Sequence, residues 1–214
     1  SGAGSVRKVK SAGLISYFFH MAVATEGEWQ VAVDKTVCLH GRLDIMMMAA
    51  GIPDRGETID STEVDTWRRV MDVTNLGMFL GTRAVIEPMR SSRGGSIVLI
   101  SSMMARVVRD GANAYATSRA GLTHFARSAA VQYGADNIRV NTVLPGWTLT
   151  PFTANAFDDE WSERLAKRVP LGRVADASDI AGPILFLASD ESKYVTGSEL
   201  LADGGVTGWI GPMD

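Results

Sequence analysis

The sequence predicts an α/β fold in three layers, a parallel sheet with helices on both faces. Two observations predict it. Short apolar runs bounded by glycine or proline alternate along the chain with segments of helical periodicity. Strands that follow one another through helices run parallel by right-handed crossovers, which lays helices over both faces of the sheet. A chain of 214 residues suits one such domain and buries a sizeable core.

In chain order, Glu28–His40 carries Trp29, Val31, Val33 and Val37 at amphipathic-helix spacing, and Gly41 can end it. Leu43–Ala49 reads as a buried strand, broken by Gly51 and Pro53. Thr62–Met89 reads as one long helix with Pro88 near its end. Gly94-Gly95 then leads into a strand over Ser96–Ser101. Ala112–Tyr133 reads as a second long helix with Gly134 at the capping position. Ile138–Leu144 is a strand closed by Pro145-Gly146. Asp158–Arg168 and Ala177–Ala188 read as helices, and Glu199–Ala202 as a short last strand. Ahead of all these, Leu14–Val23 is rich in aromatic and β-branched residues and is expected to supply one further strand. No repeat or low-complexity linker divides the chain, so residues 1–214 are expected to form a single domain with an atypical segment over 1–24.

Composition excludes several functions. A net charge of -3 argues against a nucleic-acid partner, which normally meets a basic surface. No apolar stretch reaches membrane-spanning length, and the start lacks a signal-peptide layout. The single cysteine, Cys38, rules out an internal disulfide framework and suits a reducing cytoplasm; on its helix it is expected to pack rather than react. His20, His40 and His124 are scattered without ligand spacing, so no metal site is expected.

Chemistry concentrates in Ser101-Ser-Met-Met-Ala-Arg-Val-Val-Arg-Asp-Gly-Ala-Asn-Ala-Tyr-Ala-Thr-Ser-Arg119. Tyr115 and Arg119 are four apart in a helical segment and share a face. A cation beside a phenol favours the ionised phenolate. Ser102, just past the apolar run Ser96–Ile100, can hydrogen-bond a substrate oxygen that faces this phenol. Alone, the Tyr-x-x-x-Arg pair reads more readily as a core tyrosine beside a surface arginine.

From about Thr25 to Gly205 the chain resembles the short-chain dehydrogenases/reductases, single-domain enzymes with a Rossmann-like fold. That family carries a serine after a strand, a tyrosine thirteen residues on and a basic residue four further, which Ser102, Tyr115 and Arg119 match. Further matching segments are Gly41-Arg-Leu-Asp-Ile45, Asn75-Leu-Gly-Met-Phe-Leu-Gly-Thr-Arg83 and Arg139-Val-Asn-Thr-Val-Leu-Pro-Gly146. Thr150-Pro-Phe152, Pro170-Leu-Gly-Arg173 with Asp179-Ile-Ala181, and Tyr194-Val-Thr-Gly197 before Asp203-Gly-Gly205 complete the set. The resemblance implies Tyr115 as acid–base, Ser102 holding the reacting oxygen, Arg119 supporting the phenolate and Asn75 positioning a relay water. It further implies NAD or NADP as cofactor, with contacts at Gly51, Ile100, Pro145, Gly146 and Thr150.

The chain also departs from that pattern. Fewer than the residues needed for a strand, a glycine-rich turn, a helix and a second strand precede Thr25, so the first βαβ crossover is expected to be shortened or missing. Ser1-Gly-Ala-Gly-Ser-Val-Arg-Lys8 matches only the start of the glycine motif, and Ser1–Ser5 reads as a coincidence, a remnant or a cloning scar. Met48 and Ala49 replace the two asparagines of the family's N-N-A-G, and Arg119 replaces its lysine.

Three readings therefore stand. The first is NAD(P)-dependent interconversion of an alcohol and a carbonyl on a small apolar substrate. A second is cofactor-free chemistry, since Ser-Tyr-Arg at this spacing is similar to the halohydrin dehalogenases. In the third, the chain is a non-catalytic scaffold in which Leu14–Val23 and methionines such as Met46–Met48 and Met103–Met104 serve an interface. The resemblance implies a homodimer or homotetramer built on Thr62–Met89 and Ala112–Tyr133. Trp147, Phe152, Phe157 and Trp161 are expected to wall the substrate pocket or form its lid.

Overall fold

The computed structural model of the chain describes residues 2–54, 56–150, 153 and 159–209. Two helices, α1 (Gly2–Ser11) and α2 (Glu26–His40), precede the first strand, β1 (Ile45–Met48). Then come α3 (Val64–Met71), a π turn over Asp72–Leu76, α4 (Gly77–Ser91) and β2 (Gly95–Ile100). A 3-10 turn at Met103–Ala105 leads to α5 (Asn113–Tyr133) and β3 (Ile138–Pro145). The remaining elements are β4 (Thr148–Leu149), α6 (Asp159–Ala166), β5 (Ala175–Asp176), α7 (Ala177–Ala188) and β6 (Glu199–Ala202).

The main sheet has the order β1-β2-β3-β6 and is parallel throughout. Its core follows from the strand period of two. Ile97 and Leu99 of β2 point to one face, where they pack with Trp29 and Val33 of α2, Val85 and Met89 of α4 and Leu122 of α5. Val98 points to the other face and packs with Val143, Ile180 and Leu187, so α7 covers that side. Each such fully buried aliphatic side chain contributes about 1.5–3 kcal/mol relative to exposure. The expected three-layer, Rossmann-like arrangement with helices on both faces is therefore present.

Helix ends follow local chemistry. Gly41, at φ 76°, ends α2 by donating its N–H to Val37 O. Arg139 holds the C-terminal end of α7 by donating to the carbonyls of Leu187 and Ser189, each at 3.0 Å. Gly134, by contrast, is not the cap expected for α5. It keeps right-handed helical angles, the chain runs on through a 3-10 turn, and Asn137 makes the left-handed stop at φ 58°.

Other expectations need correction. Leu14–Val23 forms no strand: among the described residues β1 pairs with β2 alone, and no segment pairs along its other edge. Strand propensity without a hydrogen-bonding partner does not make a strand. Leu14, Ile15, Tyr17 and Phe18 are accordingly exposed, as are Ile45 and Met47 on β1. Gly2–Ser11 is helical, and among the described residues no βαβ unit comes ahead of β1. The long helix expected over Thr62–Met89 starts at Val64, ends at Ser91 and is interrupted by the π turn. Val31 and Cys38 lie on the outer face of α2, so Cys38 is exposed rather than packed. Met48 and Met103 are core residues, not interface candidates. The small parallel pair β4–β5 was not foreseen, since two-residue strands leave no periodic signal.

Candidate active site

The C-terminal ends of β1, β2 and β3 lie along one edge of the sheet, and the candidate residues gather there. Parallel sheets bind ligands at this edge, where the loops leaving the strands open a crevice. Ser102 lies two residues past the end of β2. Its Oγ accepts the Met104 N–H at 3.1 Å, which leaves the hydroxyl proton available to donate to a ligand oxygen. Tyr115 lies in the first turn of α5 and is half-buried.

Arg119 ties these parts together. It is 4% exposed, and its guanidinium carbon stands 4.8 Å from the centre of the Tyr115 ring. Nη1 donates to Ile100 O at 2.9 Å, and the Arg119 carbonyl accepts Ser101 Oγ at 3.0 Å. One residue thus holds both Ile100 and Ser101, the two that lead into Ser102, and stacks on the tyrosine. Among the described residues no carboxylate pairs with this guanidinium, and its Nε has no partner. A buried cation with a ring face and a carbonyl for company retains its pull on an anion at the same place.

Asn75 sits in the π turn, a local insertion that often marks functional positions. Its Nδ2 donates to Ser118 O at 3.1 Å, one residue before Arg119, while its buried Oδ1 has no protein partner. Such an oxygen can accept a hydrogen bond from a donor outside the protein.

The residues expected to contact a cofactor are spread along the same edge. Gly51 abuts the Arg119 guanidinium. Pro145 ends β3, and Gly146 donates its N–H to Ala202 O at 3.0 Å. Thr150 is fastened to Thr153, which accepts its N–H at 3.0 Å. Phe152 and Phe157 lie outside the described residues; Trp147 is half-buried and Trp161 is exposed. The described residues offer no strand, glycine turn and helix to present amides to a pyrophosphate. Among them, no three or more His, Cys, Asp or Glu converge as a metal site, and no helix is long and apolar enough to cross a membrane.

Sequence reading missed two participants. Ser101 is one. Asp54 is the other: its Oδ2 accepts the backbone N–H of Tyr115 at 3.1 Å. The available signal was Ala112, which stands where a helix N-cap belongs and has no capping group.

A Rossmann-like sheet with serine, tyrosine and a basic residue at its C-terminal edge defines an α/β scaffold that carries an acid–base site. Comparison narrows it. The family model described as enoyl-(acyl carrier protein) reductase matches residues 2–207. The chain belongs to the short-chain dehydrogenase/reductase family. It is 39% identical over 207 residues to a cyclopentanol dehydrogenase of Comamonas sp., covering 96% of this chain and 82% of that protein. It is 39% identical over 193 residues to a trans-4-hydroxycyclohexanecarboxylate dehydrogenase of Sinomonas cyclohexanicum, covering 90% and 71%. A gluconate 5-dehydrogenase from Burkholderia cenocepacia, solved with NADP and tartrate, superposes with TM-score 0.90 at 28% identity over 97% of this chain and 82% of that one.

Proposed function

We propose that the chain interconverts a secondary alcohol and a carbonyl on a small apolar substrate, with NAD or NADP as hydride partner. The observation that carries this reading is Arg119, buried, stacked on Tyr115 and bound to the strand end that leads into Ser102. In the oxidative direction the Tyr115 oxygen takes the hydroxyl proton while Ser102 Oγ–H holds the substrate oxygen. A nicotinamide held at this edge would supply the acceptor for the hydride that leaves the carbinol carbon. Arg119 holds positive charge beside the phenol as the proton arrives, and a water on Asn75 Oδ1 carries it onward.

Gly51, Ile100, Pro145, Gly146 and Thr150 would line the nicotinamide end, and the carbocyclic substrates named for two relatives support a substrate of that class. The same reading takes the chain as a single domain over 1–214 and a cytoplasmic homodimer or homotetramer. Phe79 on α4 and Val131 on α5 are exposed apolar residues suited to such an interface.

The test is oxidation of a panel of cyclic secondary alcohols, including cyclopentanol, with NAD and with NADP, followed by absorbance of the reduced nicotinamide. Calorimetric titration with NADH and NADPH accompanies it. Turnover with saturable cofactor binding supports the proposal. Turnover of a vicinal halohydrin without cofactor binding would instead favour dehalogenase-like chemistry, and neither activity would favour the scaffold reading.

A further inference from the structure

Helix α5 carries Tyr115 but begins without a cap of its own, since Ala112 has no side-chain acceptor to offer. The first turn of any helix leaves backbone N–H groups that need partners. Here one partner comes from 61 residues earlier in the chain, where the half-buried Asp54 accepts the N–H of Tyr115 itself. The loop bearing Asp54 is fixed to α5 at other points as well. Asn113 Nδ2 donates to Glu57 O at 3.0 Å and to Thr62 Oγ1 at 2.8 Å. Upstream, Gly51 lies against the Arg119 guanidinium.

We propose that Asp54 is a positioning residue for Tyr115. Its carboxylate, docked on the tyrosine's own amide, sets the height and angle at which the phenol meets a substrate oxygen. The inference rests on the reading of Tyr115 as the acid–base group. A negative charge is favoured at a helix N-terminus, so the cap and the helix hold each other without a further cation. Position matters at this residue because a misplacement of about 1 Å can cost on the order of a hundredfold in rate. Asp54 touches no reacting atom and acts only through the backbone of Tyr115.

The experiment compares kcat and KM of the wild-type chain, Asp54→Ala and Asp54→Asn on whichever cyclic alcohol of the panel is oxidised fastest. Amide hydrogen exchange at Tyr115 in the wild-type chain is measured alongside. Asp54→Ala is expected to lower kcat on the order of tenfold or more with KM little changed. Asp54→Asn keeps an acceptor oxygen and is expected to recover most of that loss. The Tyr115 amide is expected to exchange as slowly as those in the middle of α5. Undiminished kcat in Asp54→Ala overturns the proposal, and so does an Asn variant as impaired as the Ala variant. A fast-exchanging Tyr115 amide overturns it too, and that measurement stands even where Asp54→Ala does not fold. Failure of the underlying reading shows separately, as turnover retained in Tyr115→Phe.

Discussion

Gly51 and Arg119 are in direct contact: a Cβ at position 51 would lie 3.0 Å from the guanidinium carbon and closer still to Nη2. The guanidinium cannot yield without leaving Ile100 O and the face of Tyr115. Gly51→Ala is therefore expected to push Arg119 out of place, at a stability cost of about 1–3 kcal/mol for overpacking. Turnover should fall by more than this loss of folded protein explains. Denaturant unfolding alongside steady-state kinetics checks it; wild-type kcat in the alanine variant would show that the guanidinium position is immaterial.

Tyr115→Phe removes one oxygen and keeps the ring on which Arg119 stacks, so folding should be intact. General acid–base groups contribute roughly 10²–10⁴-fold, and turnover is expected to fall by that order. Circular dichroism and a thermal melt matching the wild type, with turnover lost, make up the expected result. Retained turnover would remove Tyr115 from the chemistry.

Much of this arrangement is legible in the sequence because it depends on local pattern. Ser96–Ile100 announces a strand and Ala112–Tyr133 a helix, so the thirteen-residue step from Ser102 to Tyr115 can be read directly. Pro170-Leu-Gly-Arg173 and Asp179 belong to one matching segment of the sequence, and in the structure Arg173 and Asp179 pair. What escaped depends on partners distant in sequence. Leu14–Val23 has strand composition, but whether a neighbour exists to pair with it is a property of the sheet. Asp54 gives no local sign that it caps a helix 61 residues away. The weak helix formers Asp72, Val73, Thr74 and Asn75 do not by themselves distinguish a π turn from an α-helix, and Cys38 falls outside the buried stripe by a single step of the helix.

Glu199 on β6 joins the turn after Ser102 to α5. Its side chain is 5% exposed and accepts Arg106 Nε at 2.7 Å and Arg127 Nη2 at 2.5 Å. Glu199→Gln keeps the shape but removes the charge between two cations. Hydrogen bonds to charged groups contribute about 1.5–3 kcal/mol, and the loss should fall near the lower end because both arginines are half-exposed. Chemical unfolding of Glu199→Gln, Arg106→Met and the double variant gives the coupling. Additive losses would show that Arg106 gains nothing from the carboxylate.

At the start of α7, Arg173 donates to both carboxylate oxygens of Asp179, at 2.6 and 2.8 Å, and the Asp176 N–H adds a bond of 2.8 Å. The arginine first, and then the amide, hold the Asp179 carboxyl down from its ordinary 3.8 to about 2. A carboxyl whose folded value is depressed binds its proton more readily in the unfolded chain. Its stabilising contribution is therefore complete above about pH 4 and is lost as pH falls toward about 2. The pair is exposed, so the effect should be modest and should shrink in high salt. Asp179→Asn, which cannot titrate, is expected to melt below the wild type at neutral pH, with the gap closing between pH 4 and pH 2. Thermal melts of both chains across that window decide it: a constant gap would mean that the Arg173 pair contributes nothing through the charge of Asp179.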